Sequence, residues 1–312
     1  MCDYSRKPVK WQVGNFSYMI ISHILQMADL KETPLYVIST KILFSFMAFF
    51  FWKSGRFYKE IEVKKLIKKD FEKLIEPYFI WIFISFLYES VTGLYNQTIF
   101  QNWKSFIREM IFIEAPGSNA ALWFLPTLFL CHVLFRLMNK YFNPFIICVL
   151  SFVISWGINY LGISKPIWIG NIPYAITFYS FGYLFRTTNS KVTIFVASVF
   201  AIIYIIYPNY VGARDNVFVY GNNYPLAIAC SMAFIVLYYN CIRKLNIRQN
   251  LLSFIGRNSM AFYISHYIFL CLCNFLLNHC GISGALFATI SGTLLIPYFF
   301  LITKINEVIR LY

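Results

Sequence analysis

Charge is what this 312-residue chain has least of: Asp, Glu, Lys and Arg together make up 13% of it, about half of the roughly 25% usual in a water-soluble domain. That shortfall excludes an ordinary soluble fold. The eight cysteines (Cys2, Cys131, Cys148, Cys230, Cys241, Cys271, Cys273 and Cys280) form no C-x-x-C pair, and no histidines stand at metal-ligand spacing. A zinc site or a thiol redox motif is therefore not indicated, and cysteines inside apolar runs read as small packing residues. No tightly bound cofactor and no metal are expected. Internal repeats and low-complexity tracts are also missing. So is a cleavable leader: the first apolar run follows Arg6, Lys7 and Lys10 but has no small-residue cleavage site and is followed by further apolar runs, so it serves as its own signal. No polar stretch reaches domain size. The longest, about 53–75 and 95–120, are shorter than an independent core needs, so residues 1–312 read as a single membrane domain.

What the chain has in excess is apolar and aromatic surface, with 59% hydrophobic residues, 34 Phe and 23 Tyr. An α-helix needs about twenty apolar residues to cross a hydrocarbon core of roughly 30 Å. Ten runs approach that length: 13–29, 35–52, 76–94, 121–139, 143–161, 168–185, 192–208, 223–242, 259–279 and 284–303. The expected fold is an all-α, polytopic transmembrane helix bundle of about ten spans. The net charge of +14 does not point to nucleic acid, because the basic residues are distributed between apolar runs instead of clustered on one polar face. Their alternation sets the orientation. With the N-terminus inside, 21 of the 27 Lys and Arg fall on cytoplasmic segments, as the retention of positive charge in the cytoplasm requires. Both ends are then cytoplasmic, and the host is a cell membrane, most simply the bacterial cytoplasmic membrane. Within the basic stretch 59–73 the apolar residues recur at helical spacing, so this segment reads either as a helix lying along the inner headgroups or as a solvated linker.

Ionisable side chains inside hydrocarbon are costly, so those that remain are candidates for function. Three histidines qualify. At ~1.5 Å per residue, His23 lies about 16 Å and His266 about 12 Å from the inner ends of their spans, and His132 is also near mid-depth. A neutral imidazole can accept a proton from an attacking hydroxyl, which is what acyl transfer to an alcohol needs. All three also read as interhelical hydrogen-bonding groups with no part in chemistry, His132 most readily.

Several short motifs stand in order around these residues. Phe50, Phe51, Ser54 and Gly55 form F-F-x-x-S-G at the end of span two; Lys73, Leu74, Ile75, Pro77 and Tyr78 form basic-L-I-x-P-Y leading into span three; Leu122 to Pro126 read L-W-F-L-P; Phe178 to Tyr183 read F-Y-S-F-G-Y; and Ile255 to His266 fit G-x-x-S-x-x-x-Y-x-x-H. In this order and spacing, from about His23 to the C-terminus, the chain resembles the integral membrane acyltransferase family 3, particularly its surface-polysaccharide O-acetyltransferases related to fucose 4-O-acetylase. Each piece has a purely structural reading as well: Ser54-Gly55 as a helix-ending turn, Trp123 as an interfacial anchor, Pro126 as a kink. The chain departs from the family pattern at Gln12, where a basic residue is usual, at Phe46, Met47 and Ala48, where H-M-P is common, and at Lys69 and Lys73, where the family has arginines with a bidentate fork.

The resemblance implies an O-acetyltransferase that uses acetyl-CoA as co-substrate and a hydroxyl of an envelope glycan, or its lipid-linked precursor, as acceptor. His23 would be the general base. Lys53, Arg56, Lys69, Lys73 and Arg257 would attract the phosphates of CoA, and Ser54, Trp123, Tyr263 and His266 would line the path. The runner-up is a transporter or flippase for lipid-linked saccharides, for which internal repeats or paired broken helices are the expected signature.

Overall fold

The computed structural model describes residues 19–37, 45–92, 103, 104, 106–108, 110, 117–163, 168–186, 190–207, 223–244 and 258–309. Among these, every regular element is a helix. The longer ones in chain order are α1 (19–27), α2 (Phe46–Arg56), α3 (Val63–Asp70), α4 (Glu76–Thr92), α5 (Phe124–Met138), α6 (Pro144–Tyr160), α7 (Trp168–Leu184), α8 (Lys191–Ile206), α9 (Tyr224–Lys244), α10 (Ser259–His279) and α11 (Gly284–Ile309). A turn of π-helix, Phe71–Ile75, joins α3 to α4, and a tight 3-10 stretch, Gly117–Trp123, leads into α5.

The boundaries have local causes. Asn143 caps α6 by accepting a hydrogen bond from the Phe145 amide, with Pro144 at the first helical position where its missing N–H costs nothing. Ser190 caps α8 in the same way through the Thr193 amide. After α10 the chain turns at Gly281, whose φ of +71° suits a residue without a Cβ.

Among the described residues, five helical stretches are long and apolar enough to cross a membrane: Val63–Thr92, Ala121–Met138, Tyr224–Cys241, Ser259–His279 and Gly284–Ile305. Pro144–Tyr160 and Lys191–Ile206 are apolar and shorter. Phe145, Ile154, Val192, Phe195, Ile202 and Ile205 on α6 and α8 are more than half exposed. Water would not tolerate apolar faces of this extent, whereas hydrocarbon does. The protein is a membrane protein, all-helical among the described residues, and the expected spans one and two lie partly outside those residues.

The helices group into two compact units, Met1–Leu43 with Glu76–Trp123 and Asn246–Tyr312, and Phe44–Ile75 with Phe124–Leu245. In the first unit, Ala28 beyond α1, Cys273 on α10 and Phe287 on α11 form a buried cluster. Aromatic pairs Phe262–Phe299 and Phe269–Tyr298, with ring centroids 4.2 and 4.1 Å apart, fasten α10 to α11. Tyr88 on α4 donates to the Cys271 carbonyl at 2.9 Å.

In the second unit the closest crossing is that of α2 and α7. A Cβ on Gly55 would overlap the Tyr179 carbonyl, and one on Gly182 would overlap the Trp52 carbonyl. Gly55 therefore serves as a backbone contact inside α2, which continues to Arg56, rather than as the helix-ending turn that Ser54-Gly55 suggests in isolation. Elsewhere in this unit Tyr204, Ala227 and Cys230 pack α8 on α9, and Ser155 on α6 hydrogen-bonds the Tyr224 hydroxyl on α9.

Candidate functional site

In the first unit, α10 carries its polar residues where neighbours can use them. His266 is fully buried, and its Nδ1 lies 2.6 Å from the Tyr263 carbonyl and 3.2 Å from the Phe262 carbonyl. A carbonyl can only accept, so Nδ1 carries the proton and Nε2 is the basic nitrogen. The His23 ring of α1 lies beside it, with centroids 5.4 Å apart and planes at 34°. Tyr267 packs edge-on against His23 at 5.0 Å. Among the described residues the buried His23 Nδ1 meets no partner at hydrogen-bond geometry, while the Gln26 side chain, one turn along, is close enough to interact with the ring.

The 3-10 stretch closes on the same part of α10. Tyr263, 4% exposed, donates to the Ala121 carbonyl at 2.8 Å, and Asn119 donates from its amide to the Ile264 carbonyl at 2.8 Å. These two bonds run in opposite directions between the segments and fix Trp123, itself buried, at the end of the stretch. Sequence reading did not single out Asn119 or Tyr267. An isolated Asn in a polar loop carries no signal, and its complete burial is visible only in three dimensions. Of the expected site residues, the first unit thus brings together His23, His266, Tyr263 and Trp123.

The second unit holds Lys53, Ser54, Arg56, Lys69 and Lys73. Lys53 and Ser54 are half-buried at the end of α2. Arg56 donates to the Phe185 carbonyl at 2.6 Å and to the Tyr239 hydroxyl at 2.7 Å, with its guanidinium carbon 4.2 Å from the centre of the Tyr239 ring. Two of its five donors are therefore committed to packing within the unit. Lys69 and Lys73 are exposed. Arg257 lies outside the described residues. His132, which looked the least consequential of the three membrane histidines, donates from Nδ1 to the buried Asp70 carboxylate at 2.7 Å. Nearby, burial raises the Tyr58 phenol above its ordinary value, against the lowering effect of the Arg136 charge.

A family model described as an acyltransferase domain matches residues 16–303, which include His23, Arg257, His266 and both lysines. The chain belongs to acyltransferase family 3. No curated protein and no solved structure matches it. For a family 3 acyltransferase the match covers nearly the whole of the 312 residues. This family 3 protein is a membrane acyltransferase.

Proposed function

We propose that the protein moves an acetyl group from acetyl-CoA to a hydroxyl of a cell-envelope polysaccharide or its lipid-linked precursor, working in the bacterial cytoplasmic membrane with ten spans and both termini in the cytoplasm. The reading is supported above all by one observation: His23 stands beside His266 in the buried interior of the first unit, and its Nδ1 meets no hydrogen-bond partner among the described residues. A buried polar atom left unsatisfied costs about 1–3 kcal/mol. A substrate hydroxyl arriving there would satisfy it and lose its proton to the ring.

In this mechanism His23 accepts the proton of the acceptor hydroxyl as the oxygen attacks the thioester carbonyl. The carbon–sulfur bond then breaks, and the CoA thiolate leaves and takes the proton back from the imidazolium. Oxygen gains the acetyl group, sulfur gains the proton, and the protein returns to its starting state. His266, with its proton held on Nδ1 by two carbonyls, presents Nε2 as an acceptor and orients the neighbouring groups. Trp123 and Tyr263 line the path within the first unit, and the charges of Lys53, Arg56, Lys69, Lys73 and Arg257 attract the phosphates of the donor.

The test is direct. The full chain in lipid nanodiscs is supplied with radiolabelled acetyl-CoA and envelope glycan, and both thioester consumption and label in the glycan are measured. Label appearing as glycan ester supports the proposal. If no acceptor elicits thioester turnover, while cells lacking the chain are altered in glycan export but not in glycan acetylation, the transporter reading replaces it.

A further inference from the structure

Three basic side chains of the second unit that the reaction above does not use all close on one short segment. Arg186, following α7, donates to the Tyr58 carbonyl. Arg136 on α5 donates from Nε to the Ile61 carbonyl at 2.9 Å and pairs with Glu60 at 3.0 Å. His132, one turn earlier on α5 and so on the same face, donates to Asp70 at 2.7 Å. Between these anchors runs α3, with Leu66 and Asp70 buried and Lys64, Lys65, Lys68 and Lys69 exposed.

Composition does not favour α3 as the start of a helix that runs on through the π-turn to Thr92: its four lysines lie within two turns of one another and repel. The anchors are not equal. The carboxylate of Glu60 is 72% exposed, so its ion pair with Arg136 contributes little. Asp70 is 5% exposed, and a carboxylate withdrawn that far from water needs a donor. His132 supplies it. The bond sits at the last residue of α3, directly after Lys69, and the π-turn that follows carries Lys73. Extra-residue turns of this kind recur at functional sites.

We infer that His132 is a positioning residue for the acyl donor: through its hydrogen bond to Asp70 it holds the end of α3 so that Lys69 and Lys73 present a fixed pair of ammonium groups to the phosphates of acyl-CoA. The inference rests on the acyl-CoA reading above and assigns a role to two residues, His132 and Asp70, outside the proposed base and path. His132 acts on binding of the donor and takes no part in the proton transfer.

The experiment combines two readouts on the full chain in nanodiscs, amide hydrogen exchange over residues 63–75 and steady-state kinetics with acetyl-CoA. His132→Ala is expected to speed exchange in that segment and to raise KM for acetyl-CoA about tenfold, the scale of one hydrogen bond to a charged group. kcat is expected to stay within about twofold of wild type, since the acyl-transfer groups are untouched. His132→Asn, whose amide nitrogen can stand where Nδ1 stood, should restore both readouts. Should His132→Ala fail to fold, Asp70→Leu, which removes the acceptor and keeps an apolar side chain at this buried position, is read in the same way. Unchanged exchange, or faster exchange with unchanged KM, overturns the inference, as does a loss confined to kcat. A wild-type protein that consumes no acetyl-CoA overturns the donor reading and this inference with it, and that failure is distinguished from failure of the inference alone by wild-type turnover.

Discussion

The rings of His23 and His266, from opposite ends of the sequence, lie side by side with centroids 5.4 Å apart. Proximity of this kind makes each substitution informative about the other. If His23 is the base, His23→Ala should leave insertion and folding nearly intact, because an interhelical hydrogen bond in a membrane is worth only about 0.6 kcal/mol on average. Acetyl transfer should fall by roughly 10²- to 10⁴-fold, the range for loss of general-base catalysis. His266→Ala should be milder. Equal or greater loss in His266→Ala, measured on normally expressed protein, would move the base from α1 to α10.

The two lysines that flank the π-turn should act on binding and not on chemistry. Lys69→Gln and Lys73→Gln are each expected to raise KM for acetyl-CoA several-fold with little change in kcat. Both side chains are exposed, so the effect should shrink as ionic strength rises and screening shortens to roughly 3 Å at 1 M salt. A kcat defect that is insensitive to salt would contradict a phosphate-attracting role.

The crossing of α2 and α7 makes a sharp stability prediction. Gly55→Ala and Gly182→Ala each place a methyl group inside a backbone carbonyl of the other helix, which cannot rotate away as a side chain could. Each should destabilise by about 3 kcal/mol or more, at the top of the range for overpacking. Gly157, in the last turn of α6, has nothing near its Cβ position, and Gly157→Ala should be neutral or stabilising by up to about 1 kcal/mol. Thermal unfolding in detergent, monitored by size-exclusion chromatography, checks all three; a tolerated Gly182→Ala would mean the helices do not meet at this distance.

Topology can be read with membrane-impermeant thiol reagents. Lys31 and Lys65 are both exposed, and the charge alternation assigns them to opposite sides of the bilayer. Lys31→Cys should label from outside intact cells and Lys65→Cys only after the membrane is opened. Labelling of both from one side would overturn the N-in, ten-span reading.

Much of this protein is decided by the sequence alone. Low charge, long apolar runs and the bias of Lys and Arg toward alternate segments determine a helical membrane protein, because a bilayer forces backbone hydrogen bonding within each span. The family could likewise be reached from the order of short motifs, and His23 and His266 could be picked out as imidazoles on apolar runs. The sequence could not decide which polar residues share a neighbourhood. Asp70 looked like one more charge in a basic stretch, and His132 like an interhelical hydrogen-bonding group whose partner the sequence does not name. Only the tertiary structure brings the two within 2.7 Å, because the partners of a buried polar group are set by helices meeting in space and not by spacing along the chain. The same holds for Gly55 and Gly182. Each is compatible with a turn or a helix in one dimension, and the close approach of two backbones in the folded chain is what requires the missing Cβ.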